Sequence, residues 1–443
     1  MPSPPHDVAS PVSARCARRL ALGAAAGCLV AAVPLRVRAQ DQLLDTAYVA
    51  AESGAWGTSA RAWRRVLDRN PNLALAAAMT LRGAPPDARG AIHDAFLAPP
   101  LSPGGRRTMA QLDLAWGAAR DGWAALSSLP RGDSTAEAWL EFADAARADG
   151  ALVVARDAYA AAVSVHPVAE VAARGAAAAL AGGDPEGALV LLDRAATMHG
   201  GTDSALVAST LLPLRVRALA RLGRSREAEQ VLQHQAHLLS VDARPAIARD
   251  VTWGYVRRGD LAEARAAATE FGVQDDPDVK AWLALYAGDL KQAREALLHP
   301  DASSPDVLTA LTLLTRTRAD SSAIVGQAFL CLTRGDTAGA AQRFVTASAA
   351  LRDAAPFLLA TAGRLHAAQH HDALAIPLWR TVVEQYADAP EAPEADLEWG
   401  RALRRGADAA GARARWEHLI LTYPESALVP LARQELAATK ATA

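Results

Sequence analysis

Apolar residues recur along most of this chain at intervals of three and four, the spacing that places side chains on one face of an α-helix. The clearest stretch begins at Trp139. Trp139, Phe142, Ala143 and Ala146 share one helical face, Asp149-Gly150 interrupts the pattern, and Ala155, Tyr159 and Ala162 form a second face ending at Pro167. Glycine ends a helix readily because it enters the left-handed conformation without a Cβ clash, and proline cannot continue one. The pattern predicts two helices joined by a turn at Gly150, and large residues set against alanines predict close packing between them. Alternating β-branched runs bounded by turn residues, the mark of strands, do not stand out. The expected class is all-α.

The same signature recurs. A glycine, a small residue five later and an apolar residue four after that stand at Gly183/Ala188/Leu192, Gly223/Ala228/Leu232, Gly259/Ala264/Ala268, Gly288/Ala293/Leu297 and Gly335/Ala340/Phe344. Gly54/Ser59/Trp63 ends at Pro71 with the offsets of the Trp139 stretch. Toward the carboxyl end, Ala375/Trp379 follows Leu359 and Gly363, and Trp399/Gly400, Ala412/Trp416 and Pro424 form a further unit. From Gly150 the turns lie 33, 40, 36, 29, 47, 35 and about 36 residues apart, scattered around the period of about 34 known for one helix-pair array. In these marks, over residues 43–436, the chain resembles the tetratricopeptide repeat family. The resemblance implies a right-handed superhelical solenoid of helix-turn-helix repeats, whose concave face binds partner peptides or domains.

Residues 72–130 fit that pattern least. Pro85-Pro86, Pro99-Pro100 and Pro103-Gly104-Gly105 interrupt any long helix, which leaves helices over Leu73–Leu81, Ala88–Leu97 and Thr108–Ala118 and a mobile loop at 98–106. The expected organisation is a leader over 1–39, a first unit over 40–71 and degenerate helical repeats over 72–135. An array over 136–385 and a carboxyl-terminal unit with a capping helix over 386–443 follow. Tyr423-Pro-Glu-Ser-Ala resembles units of envelope proteins of the Tol-Pal accessory kind.

The leader reads as an address. Arg18-Arg19 precedes an apolar stretch from Leu20 to Val33, Pro34 ends it, and Val37-Arg38-Ala39 places small residues where a signal peptidase reads. The expectation is an exported protein of the periplasm or cell envelope whose mature chain begins at Gln40. Residues 20–33 as an uncleaved anchor are short of the roughly 20 residues that span a bilayer. Ala25-Ala26-Gly27-Cys28 resembles a lipobox without its usual leucine, which would lipidate Cys28. The paired arginines also leave the general secretory and twin-arginine routes both open.

Composition narrows the function. The chain carries 46 basic and 48 acidic side chains. Losing residues 1–39 removes five arginines and one aspartate, leaving 41 against 47, a net of −6. A mildly acidic body suits neither duplex nucleic acid nor an anionic membrane surface, so the expected partners are proteins. No phosphate-binding loop, dinucleotide fingerprint, His-Glu-x-x-His or paired-cysteine spacing occurs. No cofactor, small-molecule substrate or catalytic residue is expected. Without the leader Cys331 is the sole cysteine, in an apolar helical run that reads as core. His366 and His370 could share a metal on a continuous helix. However, His366 occupies the packing slot that Ala146 and Tyr255 fill elsewhere, and His370-His371 stand where a turn belongs, ahead of Asp372. Packing and turn roles are expected, with no metal. His234 and His237 read as surface or linker residues.

One constellation remains. The resemblance implies that the position six residues before each turn glycine faces the concave groove, and this offset selects Trp253, Trp282 and Phe329. Arg249 and Arg257 flank the first, and Tyr286 follows the second by four. Aromatic rings beside arginines are the residue types that carry interface energy, so residues 249–333 are the candidate partner-binding patch. The competing expectation is that these rings fill irregular gaps, because the spacings of 29 and 47 show the register drifting. Two further roles stand beside that of a scaffold: a self-associating structural protein of the envelope, and an enzyme subunit with a site in 72–130.

Overall fold

The turns between helices are set by residues in the left-handed region. Gly54, Gly150, Gly183, Gly223, Gly259, Gly288 and Gly335 all have φ between 72° and 89°. At Gly150 the following amide, Ala151 N, donates to Ala146 O at 2.8 Å, which satisfies a carbonyl the helix end would leave open. Asp184, Arg224, Asp260, Asp289 and Asp336 make the equivalent bond. Two turns lack glycine. His370 takes φ 60° as the sequence register required, whereas the last turn falls on Ala407 (φ 63°) rather than on Gly406, which keeps φ −79°. A Cβ in this conformation costs about 1–2 kcal/mol. Ala407→Gly should therefore raise stability by about 0.5–1 kcal/mol after the added flexibility of the unfolded chain is counted, read as a higher urea midpoint.

The computed structural model describes residues 42–197, 207–297 and 305–441. The expected leader over 1–39, the expected start of the mature chain at Gln40, the stretch 20–33 and Cys28 lie outside the described residues. Among the described residues no helix is long and apolar enough to cross a membrane, and none forms a named strand.

Internal contacts divide the chain at Pro167 and Val168 into two compact units. The first begins with a helix over 42–52 paired with Trp56–Leu67 and closes with Asp133–Ala148 paired with Leu152–Val165. Between them stand Ala74–Leu81, Pro86–Leu97, Pro103–Ala115 and Ala119–Ser127. Ala74–Leu81 packs on Pro103–Ala115, while Pro86–Leu97 packs on Trp56–Leu67. The fully buried Trp63, Phe96, Ile92 and Met109 belong to one core.

The loop expected over 98–106 is confined to residues 98–102, because a helix begins at Pro103. Pro86 and Pro103 each occupy the first turn of a helix, where the missing N–H would have had no partner in any case. Ser102 Oγ accepts from Gly105 N at 3.0 Å and caps the second of these. Gly104 lies against Leu67 and Pro71, and Gly105 against the Phe96 carbonyl, so closely that a Cβ at either would stand 3.0 Å from its nearest neighbour. The glycines permit close packing, and the connection shrinks to residues 98–102.

The second unit stacks helix pairs from Ala169–Ala181 with Pro185–Thr197 through Ala392–Arg405 with Ala409–Thr422, and ends on Val429–Ala441. Late in this stack, glycines on first helices receive indoles from second helices. Trp379 packs into Gly363 and Trp416 into Gly400, and a Cβ at either glycine would press into the indole.

The spacing of 47 between Gly288 and Gly335 has a structural cause. An additional helix, Pro305–Arg316, is inserted, with Ala310, Leu313 and Leu314 buried in the common core. The chain then returns to the turn it left: Ser322 N donates to Gly288 O at 2.8 Å and Lys291 N to Asp320 O at 3.0 Å. The next first helix, Ala323–Thr333, consequently packs against Pro277–Tyr286 and also reaches Arg244–Arg258.

Candidate functional site

Three first helices converge on one cleft of about 380 Å³, lined by Trp253 and Arg257 from Arg244–Arg258, Trp282 and Tyr286 from Pro277–Tyr286, and Phe329, Leu332 and Thr333 from Ala323–Thr333. Trp282, Tyr286, Phe329 and Phe344 form a continuous set of rings. Trp282 stacks on Tyr286 with centroids 5.6 Å apart and meets Phe329 edge-on at 6.4 Å. Phe329 in turn meets Phe344 at 5.5 Å. Tyr286 and Thr333 share a 2.8 Å hydrogen bond between their hydroxyls.

The depth of these rings differs from the sequence expectation. Trp253 and Trp282 are half-buried and form the walls. Phe329, 2% exposed, and Tyr286, 6% exposed, form the floor. Phe329 does not face outward because its helix leans across both earlier first helices, which close over it. Arg249 is not part of the lining either. It pairs with Asp276 at 2.9 Å, and Asp276 caps the next first helix through the amides of Asp278 and Val279.

Arg257 is exposed at the rim. Crowding by the surrounding helices lowers its pKa, Asp250 opposes that effect and Arg221 adds to it; the guanidinium remains charged. Asp250 is already held by Arg217 at 2.9 Å. Arg221 and Arg257 donate to the carbonyls of Leu180 and Ala220, and neither has a carboxylate partner among the described residues. The cleft thus presents apolar walls, an aromatic floor and a cationic rim.

Leu332 and Thr333 were not among the residues selected from sequence. The signal was available: Thr333 precedes Gly335 by two, the offset of Arg257 from Gly259 and of Tyr286 from Gly288. The histidines take packing and turn places. His366 is buried, with burial lowering its pKa and its Nδ1 unpartnered among the described residues. His370 is the turn residue, and Asp372 is held by Arg405 through bonds of 2.9 and 2.6 Å. No group of three metal-ligating side chains occurs among the described residues. His234 and His237 are exposed. Cys331 is buried, and burial raises its thiol pKa.

These helices define a protein of antiparallel helix pairs, with left-handed turn residues within the pairs and first helices lining a cleft. No protein-family model and no curated protein matches the chain. Among solved structures it is similar to Naa15/Naa10 bound to HypK-THB, at 13% identity and a TM-score of 0.35, over 90% of this chain and 66% of that one. It is also similar to the TPR domain of P58(IPK), at 12% and 0.22, over 91% of this chain and 98% of that one. A third similarity is to the APC/C hetero-tetramer Cut9-Hcn1, at 13% and 0.24, over 91% and 90%.

Proposed function

We propose that this protein is a non-catalytic, exported scaffold of the cell envelope that holds a partner protein through the cleft at residues 253–333. The observation that carries the reading is the juxtaposition of two half-exposed indoles with arginines that lack carboxylate partners. Such a site takes a large apolar side chain of a partner segment between Trp253 and Trp282 and sets an acidic neighbour against Arg257 and Arg221. Burial of an apolar anchor supplies affinity, and the charge selects the partner. The cleft is shallow and open, which suits a protein segment better than a small substrate.

The test is a cross-linked pull-down from the periplasmic fraction with the native chain, Trp253→Ala and Trp282→Ala. The expected result is loss of the captured partner from both variants at an unchanged melting temperature. Retained capture with melting lowered by several degrees would make the rings purely structural, and absence of the chain from the envelope fractions would remove the export reading.

A further inference from the structure

The helix inserted between the Gly288 and Gly335 turns, Pro305–Arg316, is held at its carboxyl end from three separate parts of the second unit. Arg294, on Leu290–Leu297, donates to the carbonyls of Leu314, Thr317 and Ala319 at 2.8, 3.0 and 3.2 Å. It supplies partners that the end of a helix cannot find within itself. The other two contacts lie far along the chain. Asp353, in the connection ahead of Ala355–Ala368, accepts from the Arg318 amide at 2.8 Å. Glu391, in the connection ahead of Ala392–Arg405, pairs with Arg316 at 3.1 Å.

The contact with Glu391 is one-sided. The Glu391 side chain is 9% exposed and that of Arg316 37%. Arg316 is the only ion-pair partner of Glu391 among the described residues, and the second carboxylate oxygen, Oε2, is buried there without a hydrogen-bond partner. A buried carboxylate in this state is strongly destabilised by loss of its cation, whereas the more exposed guanidinium can turn to water. The connection at Glu391 therefore depends on where the inserted segment ends. Arg294 fixes that position from the pair Pro277–Tyr286 and Leu290–Leu297.

We propose that the inserted segment is a brace that couples this helix pair to the pair three places further on, Ala392–Arg405 with Ala409–Thr422. Where pairs touch their neighbours alone, a local opening weakens with each pair it crosses. The brace passes over the two intervening pairs and carries an opening at one end directly to the other. Opening of the carboxyl-terminal pair thereby reaches the joint between the helices of Trp282 and Phe329. The proposal rests on the contacts of the insertion and is independent of what the aromatic cleft holds.

Native-state hydrogen exchange on the full chain, read by mass spectrometry, tests this. Arg316→Met should accelerate exchange across Ala392–Arg405 by about tenfold or more, because it strands the carboxylate. Adding Glu391→Gln to that variant should return exchange there to within about threefold of the native rate, since no charge is left to strand. Arg294→Met alters a side chain of the distant pair and should also accelerate Ala392–Arg405, and Glu391→Gln should remove that response as well. Should Arg294→Met prove too unstable to study, the more exposed Arg316 site decides through its single and double variants. Exchange across Ala392–Arg405 that is unmoved by Arg316→Met, or moved equally with and without Glu391→Gln, would overturn the proposal. So would a response to Arg294→Met that fades stepwise through Thr337–Ala350 and Asp372–Gln385 and persists with Glu391→Gln, the pattern of transmission from neighbour to neighbour.

Discussion

Replacing Asp113 by asparagine should stabilise the protein by about 2–3 kcal/mol above pH 7 and have little effect near pH 4. Asp113 lies on Pro103–Ala115 and is 7% exposed, close under Gly122. Burial pushes its pKa from 3.8 up to about 6, with His93 pulling it down and Asp121 pushing it up. The folded chain therefore holds this proton more tightly than the unfolded chain. Its contribution to stability is complete below pH 4 and is lost as the pH rises through about 6. Asparagine keeps the shape and removes the charge. Urea unfolding of both proteins from pH 4 to 8 should show a difference that opens between these limits. A difference that does not change with pH would contradict the assignment.

Trp379→Ala should cost about 3–5 kcal/mol, in the range of large core truncations. The indole is 1% exposed and fills the notch left by Gly363, so the surrounding helices cannot collapse onto the space. In a stack each pair is stabilised chiefly by its neighbours, and the loss should be local. Hydrogen exchange should accelerate across Ala355–Ala368 and Asp372–Gln385 while residues 42–167 keep their protection. Uniform acceleration along the whole chain would instead indicate one cooperative block.

Most turns were legible in the sequence because a local requirement fixes them, a residue able to take positive φ, and glycine announces it; the turn at Gly117 (φ 82°) was not, because it falls inside the helix expected over Thr108–Ala118. Even His370 could be placed, since the residues on both sides of it kept their offsets. Pro103-Gly104-Gly105 was misread because the same residues break a helix interior and open a helix start. The choice depends on Ser102 as a cap and on the closeness of Leu67 and Phe96. The offset rule found the ring-bearing positions but gave no depth, because Phe329 is covered by helices brought over it through an insertion elsewhere.

The return of the chain from Pro305–Arg316 to the Gly288 turn also makes the order of assembly uneven. Elsewhere a new helix docks on one that precedes it by a short connection. Here docking of Ala323–Thr333 on Pro277–Tyr286 must wait until the 34 residues from Gly288 to Ser322 have closed into a loop. Relative to a connection of a few residues, that closure adds on the order of 2 kcal/mol of chain entropy. Growth of the stack from either end is expected to pause at this joint. Trp282 stands on one side of it and Phe329 on the other, so the aromatic cleft exists only when the joint is closed. Any segment seated there would clasp the two halves of the second unit together and hold the closed state by mass action.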